Sequence, residues 1–182
     1  MAWKTLSRRT VFSQPPWIAV EHHHVELPGG RSIPDWPWII TPDYVNVVVL
    51  TPAGTFCLFR QTKYALEGIS LAPVGGYVQP GEDPRDAARR ELLEELGLAA
   101  RQWIDLGSFL VDPNRGIARG YFYLAAGAEP AAAPESDDLE EQQPVDLTRA
   151  ELEAALERGE FKVLAWAAAV ALALRRLEEV RL

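Results

Sequence analysis

The stretch GYVQPGEDPRDAARRELLEELGL, Gly76 to Leu98, decides how this chain is read. Asp83 is a residue type that caps helix N-termini, and the ring of Pro84 presets φ for a first helical position. The pattern therefore predicts a helix from Pro84 to about Leu96, stopped by Gly97. Inside it Ala88, Leu92 and Leu96 recur every four residues and predict a buried face, while Glu91, Glu94 and Glu95 fall on an adjoining one. Carboxylates one turn apart repel one another, and a hard divalent cation among them relieves that cost. Mg²⁺ (or Mn²⁺) suits such a site, because a few protein oxygens leave coordination positions for waters and phosphates. Taken alone, the three carboxylates read better as the solvated face of an acidic protein. The residues around them decide otherwise.

From Gly76 the order is five residues, Glu82, seven residues, then Arg90-Glu91-Leu92-Leu93-Glu94-Glu95-Leu96-Gly97-Leu98, nine fixed positions over 23 residues. This resembles a complete Nudix box, a far more specific signal than a lone glycine motif. The resemblance implies an α/β fold, a Nudix-type α/β/α sandwich with a mixed sheet. It also implies an enzyme that cuts the phosphoanhydride of a nucleoside diphosphate linked to another group. By the same resemblance, Glu91 and Glu95 hold the catalytic metal directly and Glu94 is a further ligand or supports the ligands. Glu82 binds metal peripherally or pairs with Arg90, and the backbone carbonyl at Gly75 or Gly76 completes the sphere.

Working outward, Tyr44 to Leu50 is a β-branched run, Thr51-Pro52-Ala53-Gly54 carries turn chemistry, and Thr55 to Arg60 resumes a strand. Upstream, short β-rich runs between Trp17 and Tyr44 are punctuated by Pro28-Gly29-Gly30, Pro34, Pro37 and Pro42. The expected division is a small N-terminal β subdomain, 1–43, to which the resemblance assigns dimerisation and base binding, followed by a hydrolase domain, 44–182. Downstream, strands are expected around Trp103 to Val111 and Gly120 to Ala126, then an acid- and proline-rich loop from Gly127 to Pro144. Thr148 caps a helix ending at Gly159, and an Ala/Leu helix runs from about Val163 to Glu179.

Beyond the box, the chain resembles the ADP-ribose pyrophosphatase and nucleotide-sugar branch of the family. The segment Arg60-Gln61-Thr62-Lys63 and Pro113, fifteen residues past Leu98, sit where that branch carries an Arg-Gln segment and a proline. Ala72 departs from it, standing where the branch often has an acid. The branch implies a loop carboxylate as general base: Asp138, with Glu141 and Glu135 as alternatives, each of which also reads as part of a solvated acidic loop. It further implies ring stacking on the substrate base by Trp17, Trp36 and Trp38, residues that otherwise read as core or interface packing. Arg60 and Pro113 are candidates for substrate contact, Arg115 and Arg119 for contact with phosphate or ribose where they do not simply meet solvent, and a homodimer is expected. The competing functions are hydrolysis of nucleoside triphosphates or dinucleoside polyphosphates, and a non-catalytic nucleotide-binding module, whose usual mark is a degraded box.

Composition narrows the partners. With 26 acidic against 18 basic residues in 182, the formal charge is -8, so no broad basic surface is expected to hold a nucleic-acid polymer. A small nucleotide-containing substrate is expected instead. The single cysteine, Cys57, excludes an intrachain disulfide and a thiolate zinc cage, and fits a reducing cytoplasm. No signal peptide is read at the N-terminus, and the apolar run from Val163 to Leu174 reaches only about 18 Å as a helix against a bilayer core of about 30 Å. His22-His23-His24 invites a metal reading, but without a nearby acidic cage it reads better as structural.

Overall fold

A computed structural model describes residues 2–135 and 141–181. The chain divides into two compact units, one of residues 1–43 with 109–120, the other of residues 44–108 with 121–182. The first unit thus takes in a segment from the middle of the chain that a division at residue 43 leaves out.

In the first unit, β1 (Lys4–Gln14), β2 (Ile18–Glu26) and β3 (Ser32–Ile40) form an antiparallel sheet in that order. Strand β1 was not expected, because KTLSRRTVFSQ shows no apolar periodicity, and all eleven of its residues are exposed. It is a strand because β2 pairs with it from Lys4↔Glu26 to Gln14↔Ile18. The Pro28-Gly29-Gly30 turn joins β2 to β3, with the Gly30 N–H donating to Leu27 O. Pro34 and Pro37 lie in β3, at the edge of this sheet, where a missing N–H is tolerated. The 109–120 segment is tied to β3 by Ile39 N–H donating to Arg115 O, and by Gly116, where any Cβ would run into the Trp38 ring.

The second unit is the α/β/α sandwich. Its strands are β4 (Tyr44–Leu50), β5 (Phe56–Gln61), β6 (Ser70–Ala72), β7 (Leu98–Asp112), β8 (Ile117–Pro130) and β9 (Gln142–Leu147), β7 and β8 running on into the first unit. Its helices are α1 (Pro84–Leu96), α2 (Arg149–Glu157) and α3 (Leu164–Arg175), the last followed by a 3₁₀ turn, so α3 stops four residues short of Glu179. The sheet is mixed, with strand order β6-β5-β4-β8-β7, and β9 also pairs with β5. Alternation along β4 sorts the two cores. Val45, Val47 and Val49 face Ala87, Ala88 and Leu92 of α1, while Val48 and Leu50 face Leu152, Ala155, Ala169 and Val170 of α2 and α3.

Two strand expectations need correction. β7 begins at Leu98, directly after the helix stop, and β8 continues to Pro130. The stretch expected as loop up to Pro144 contains the first half of β9, whose pairing with β5 runs from Phe56↔Leu147 to Gln61↔Gln142. Two glutamines and a proline gave QQPVDL no strand signal of its own; the partner strand supplies it.

Candidate active site

Helix α1 presents the site. The Asp83 side chain accepts from Arg85 N–H at 2.8 Å, Pro84 opens the first turn, and Gly97 closes the last in the left-handed conformation, φ 66°. Ala87, Ala88 and Leu92 are fully buried, which turns Arg90, Glu91, Glu94 and Glu95 away from the core at about 100° per residue.

Arg90 is the hub. Its Nε and Nη2 each donate to Glu82 at 2.9 Å, a bidentate pair, and Nη1 donates to Glu91 Oε1 at 2.7 Å and Glu94 Oε2 at 3.0 Å. Nη2 also reaches the Tyr77 carbonyl at 3.0 Å. Side-chain exposures of 23% for Arg90, 18% for Glu82 and 12% for Glu91 mean that water screens these contacts only partly. The guanidinium holds the Glu82 carboxyl below the usual glutamate range, helped by the Gln79 N–H, and the carboxylates push Arg90 still higher.

Glu95 and Glu91 lean on the glycine pair. Gly75 N–H donates to Glu95 Oε2 at 3.4 Å. A Cβ on Gly76 would lie 2.1 to 2.5 Å from the Glu91 carboxyl atoms, so only glycine lets that carboxylate settle there. The Gly76 carbonyl accepts from Val45 N–H at 2.9 Å, leaving it one lone pair.

Four glutamates against one arginine leave a formal deficit of three positive charges, and every donor offered is a hard oxygen. Among the described residues no three His, Cys, Asp or Glu side chains form a ready-made cage. The oxygen donors here fit a cation that takes one or two carboxylates and fills its remaining positions with water and phosphate oxygens, as Mg²⁺ does, rather than one that needs an all-protein cage.

Asp138 lies outside the described residues. Glu135 is anchored through its backbone, its N–H donating to Glu94 O at 2.8 Å, and Glu141 is exposed just before β9. Ala72 is fully buried opposite Phe59, in a place that suits no ionised acid. Arg60 is exposed on β5, in register with Leu71 and Gln143.

In the first unit, Trp36 and Pro113 line a cavity of about 390 Å³ with Trp3, Arg8, His23 and Trp38 among its other walls. Trp3 meets Trp36 edge to face at 5.0 Å, His23 stacks on Trp38 at 5.0 Å, and Trp36 Nε1–H donates to Asn114 O at 2.7 Å. Trp17 is 56% exposed and does not line this cavity. Arg115 pairs with Asp112 at 3.1 Å, and Arg119 N–H donates to Asp43. The three histidines part company: His22 contacts Arg9 and Asp35, His23 is buried against Glu21, and His24 bonds Ser32. The sequence reading missed the backbone contributors, Tyr77 O, Gln79 N–H and Gly75 N–H. Only the glycine pair signalled them, since any residue type can supply a backbone group.

Comparison with known proteins agrees with this architecture. A nucleoside diphosphate sugar hydrolase N-terminal domain model matches residues 3–39. An ADP-ribose pyrophosphatase of Bacillus subtilis (strain 168) is 28% identical over 153 residues, 84% of this chain and 80% of that protein. A methanol dehydrogenase activator of Bacillus methanolicus is 29% identical over 154 residues, 85% and 81% respectively. A solved structure of an ADP compounds hydrolase has the same fold, with a TM-score of 0.83 at 22% identity, covering 98% of this chain and 96% of that one. The NUDIX domain model matches residues 41–167, most of the chain, and the chain belongs to that family.

Proposed function

We propose that this protein is a divalent-metal-dependent pyrophosphohydrolase acting on ADP-ribose or a related nucleotide sugar, releasing a nucleoside monophosphate and a sugar phosphate. The observation that carries the reading is the carboxylate cluster of α1 organised by Arg90 in a complete box. A cation bound there, Mg²⁺ or Mn²⁺, supplies charge neutralisation at the diphosphate and a more acidic attacking water. Glu91 and Glu95 are assigned as its direct ligands and Glu94 as an auxiliary one. Arg90 and Glu82 keep the carboxylates aimed. Among the loop carboxylates Asp138 is assigned as general base, with Glu135 and Glu141 as alternatives.

For substrate contact we assign Arg60, Arg115 and, at the ring-lined cavity, Trp36 and Pro113; Trp17, an exposed ring, is retained as a candidate for stacking on the base. The nucleotide sugar rests on the similarity to the B. subtilis pyrophosphatase and on the N-terminal domain match. A homodimer in a reducing cytoplasm completes the proposal. No described helix is long and apolar enough to cross a membrane.

The test is release of AMP or phosphate from ADP-ribose, other nucleotide sugars, dinucleoside polyphosphates and nucleoside triphosphates, each with Mg²⁺, Mn²⁺ or EDTA. Metal-dependent cleavage with ADP-ribose ahead is expected. Preference for a triphosphate would discard the substrate, and binding of nucleotide without cleavage would discard the enzyme.

A further inference from the structure

A second pocket of the hydrolase unit lies beside the first turn of α1. Its volume is about 270 Å³, and Asp83, Arg85, Trp103, Asp105 and Tyr123 line it, so α1, β7 and β8 all contribute. None of these residues belongs to the carboxylate cluster, and Glu91 lies eight residues beyond Asp83, about 12 Å along the helix axis.

Tyr123 forms the buried part of this pocket. It is only 7% exposed and meets Trp103 edge to face at 6.2 Å, yet its hydroxyl has no hydrogen-bond partner among the described residues. A buried tyrosine normally finds one. The groups that act on the hydroxyl show where it points. After burial itself, Asp105 and Asp83 push its pKa up, to about 12, and Arg85 opposes them. All three line the pocket, so the hydroxyl faces it and keeps its proton at neutral pH.

The rim is short of positive charge. Asp83 Oδ1 accepts from Arg85 N–H at 2.8 Å and Asp105 Oδ1 from Gly107 N–H at 2.7 Å, which leaves each carboxylate a second oxygen. Neither has an ion-pair partner among the described residues. The Arg85 guanidinium donates to the Trp103 carbonyl at 3.3 Å, and Arg176, which reaches the Asp105 carbonyl, is paired with Glu179. Two carboxylates against one guanidinium leave one negative charge in excess. An ammonium group can donate to both carboxylates and to the phenol oxygen while the indole ring attracts its charge and covers its alkyl part. A hydrated metal ion would gain nothing from the ring, since its ligands are oxygens.

We propose that this pocket binds a small organic amine in its protonated form, held by Asp83, Asp105 and the Tyr123 hydroxyl against Trp103. The site is additional to the hydrolytic one and does not depend on it.

Butylammonium chloride is titrated into the isotope-labelled full chain and followed by two-dimensional amide NMR, with butanol, butyrate and MgCl₂ as comparison ligands. Trp103→Phe identifies the indole signal of Trp103. The expected result is saturable shifts of that signal and of the Gly107 amide with butylammonium alone. The Kd should weaken about tenfold in Asp105→Asn and in Tyr123→Phe. Tyr123→Phe keeps the buried ring; Asp105→Asn, at an exposed position, serves as the test variant if Tyr123→Phe does not fold. Equal shifts with Mg²⁺ would make the pocket a metal site, and equal shifts with butanol would make it merely apolar; either overturns the proposal. So would shifts that are absent or never saturate, or wild-type affinity in a folded variant.

Discussion

At the scale of single residues, the carboxylates of α1 differ in their surroundings, and the differences predict different phenotypes. Glu95 and Glu91 lean on the glycine turn, and neither anchors the core. Glu95→Gln and Glu91→Gln should therefore lower kcat by orders of magnitude while leaving the circular dichroism spectrum unchanged; near-wild-type turnover in either would remove that residue from the metal. Glu82 is held by both arms of Arg90, and its pKa is lowered on folding. A lowered carboxylate pKa contributes stability that is complete above the unfolded value, about 4.3, and disappears as pH falls through the folded value. The Tm gap between wild type and Glu82→Gln should thus be flat from about pH 6 to 8 and narrow below about pH 4. A gap that widens on acidification would show that some other group governs the difference.

At the scale of elements, two glycines bracket the catalytic motif for opposite reasons. Gly97 has φ 66°, and a Cβ there would stand 2.3 Å from the Ala132 carbonyl oxygen. Gly97→Ala should cost roughly 1–2 kcal/mol from the backbone conformation alone, read as a lower Tm. Gly76→Ala would meet only the far end of the Glu91 side chain, which can swing aside. It should leave Tm nearly unchanged and reduce turnover sharply; a large stability loss would mean that Glu91 is more rigidly held than its contacts imply. The same helix was readable in advance because its cap, stop and buried face are local: Asp83, Gly97, Ala88 and Leu92 each do where they stand what their residue type favours. Strands β1 and β9 were not readable, since nothing in KTLSRRTVFSQ or QQPVDL announces a strand until a partner lies beside it. For the site, the ligand side chains were legible from the spacing of the box. The backbone donors and acceptors at Gly75, Tyr77 and Gln79 were not, because every peptide unit carries the same groups.

At the scale of the whole molecule, strand β1 leaves Leu6, Val11 and Phe12 between 42% and 51% exposed, an apolar surface that a second copy would cover. Light scattering coupled to size exclusion should give about twice the 20.2 kDa chain mass; a monomer at micromolar concentration would reject the dimer. The Arg90 clamp has a consequence for how the protein can be handled. Each of the four box glutamates already has a donor within the chain, Arg90 for Glu82, Glu91 and Glu94, and Gly75 N–H for Glu95. The fold therefore supplies part of the counter-charge itself and hydrogen-bonds every one of these carboxylates without a cation, unlike small zinc domains that unfold when stripped. Purification in a chelator should yield folded, storable protein with an almost unaltered melting curve, to be switched on by adding the cation at the moment of assay.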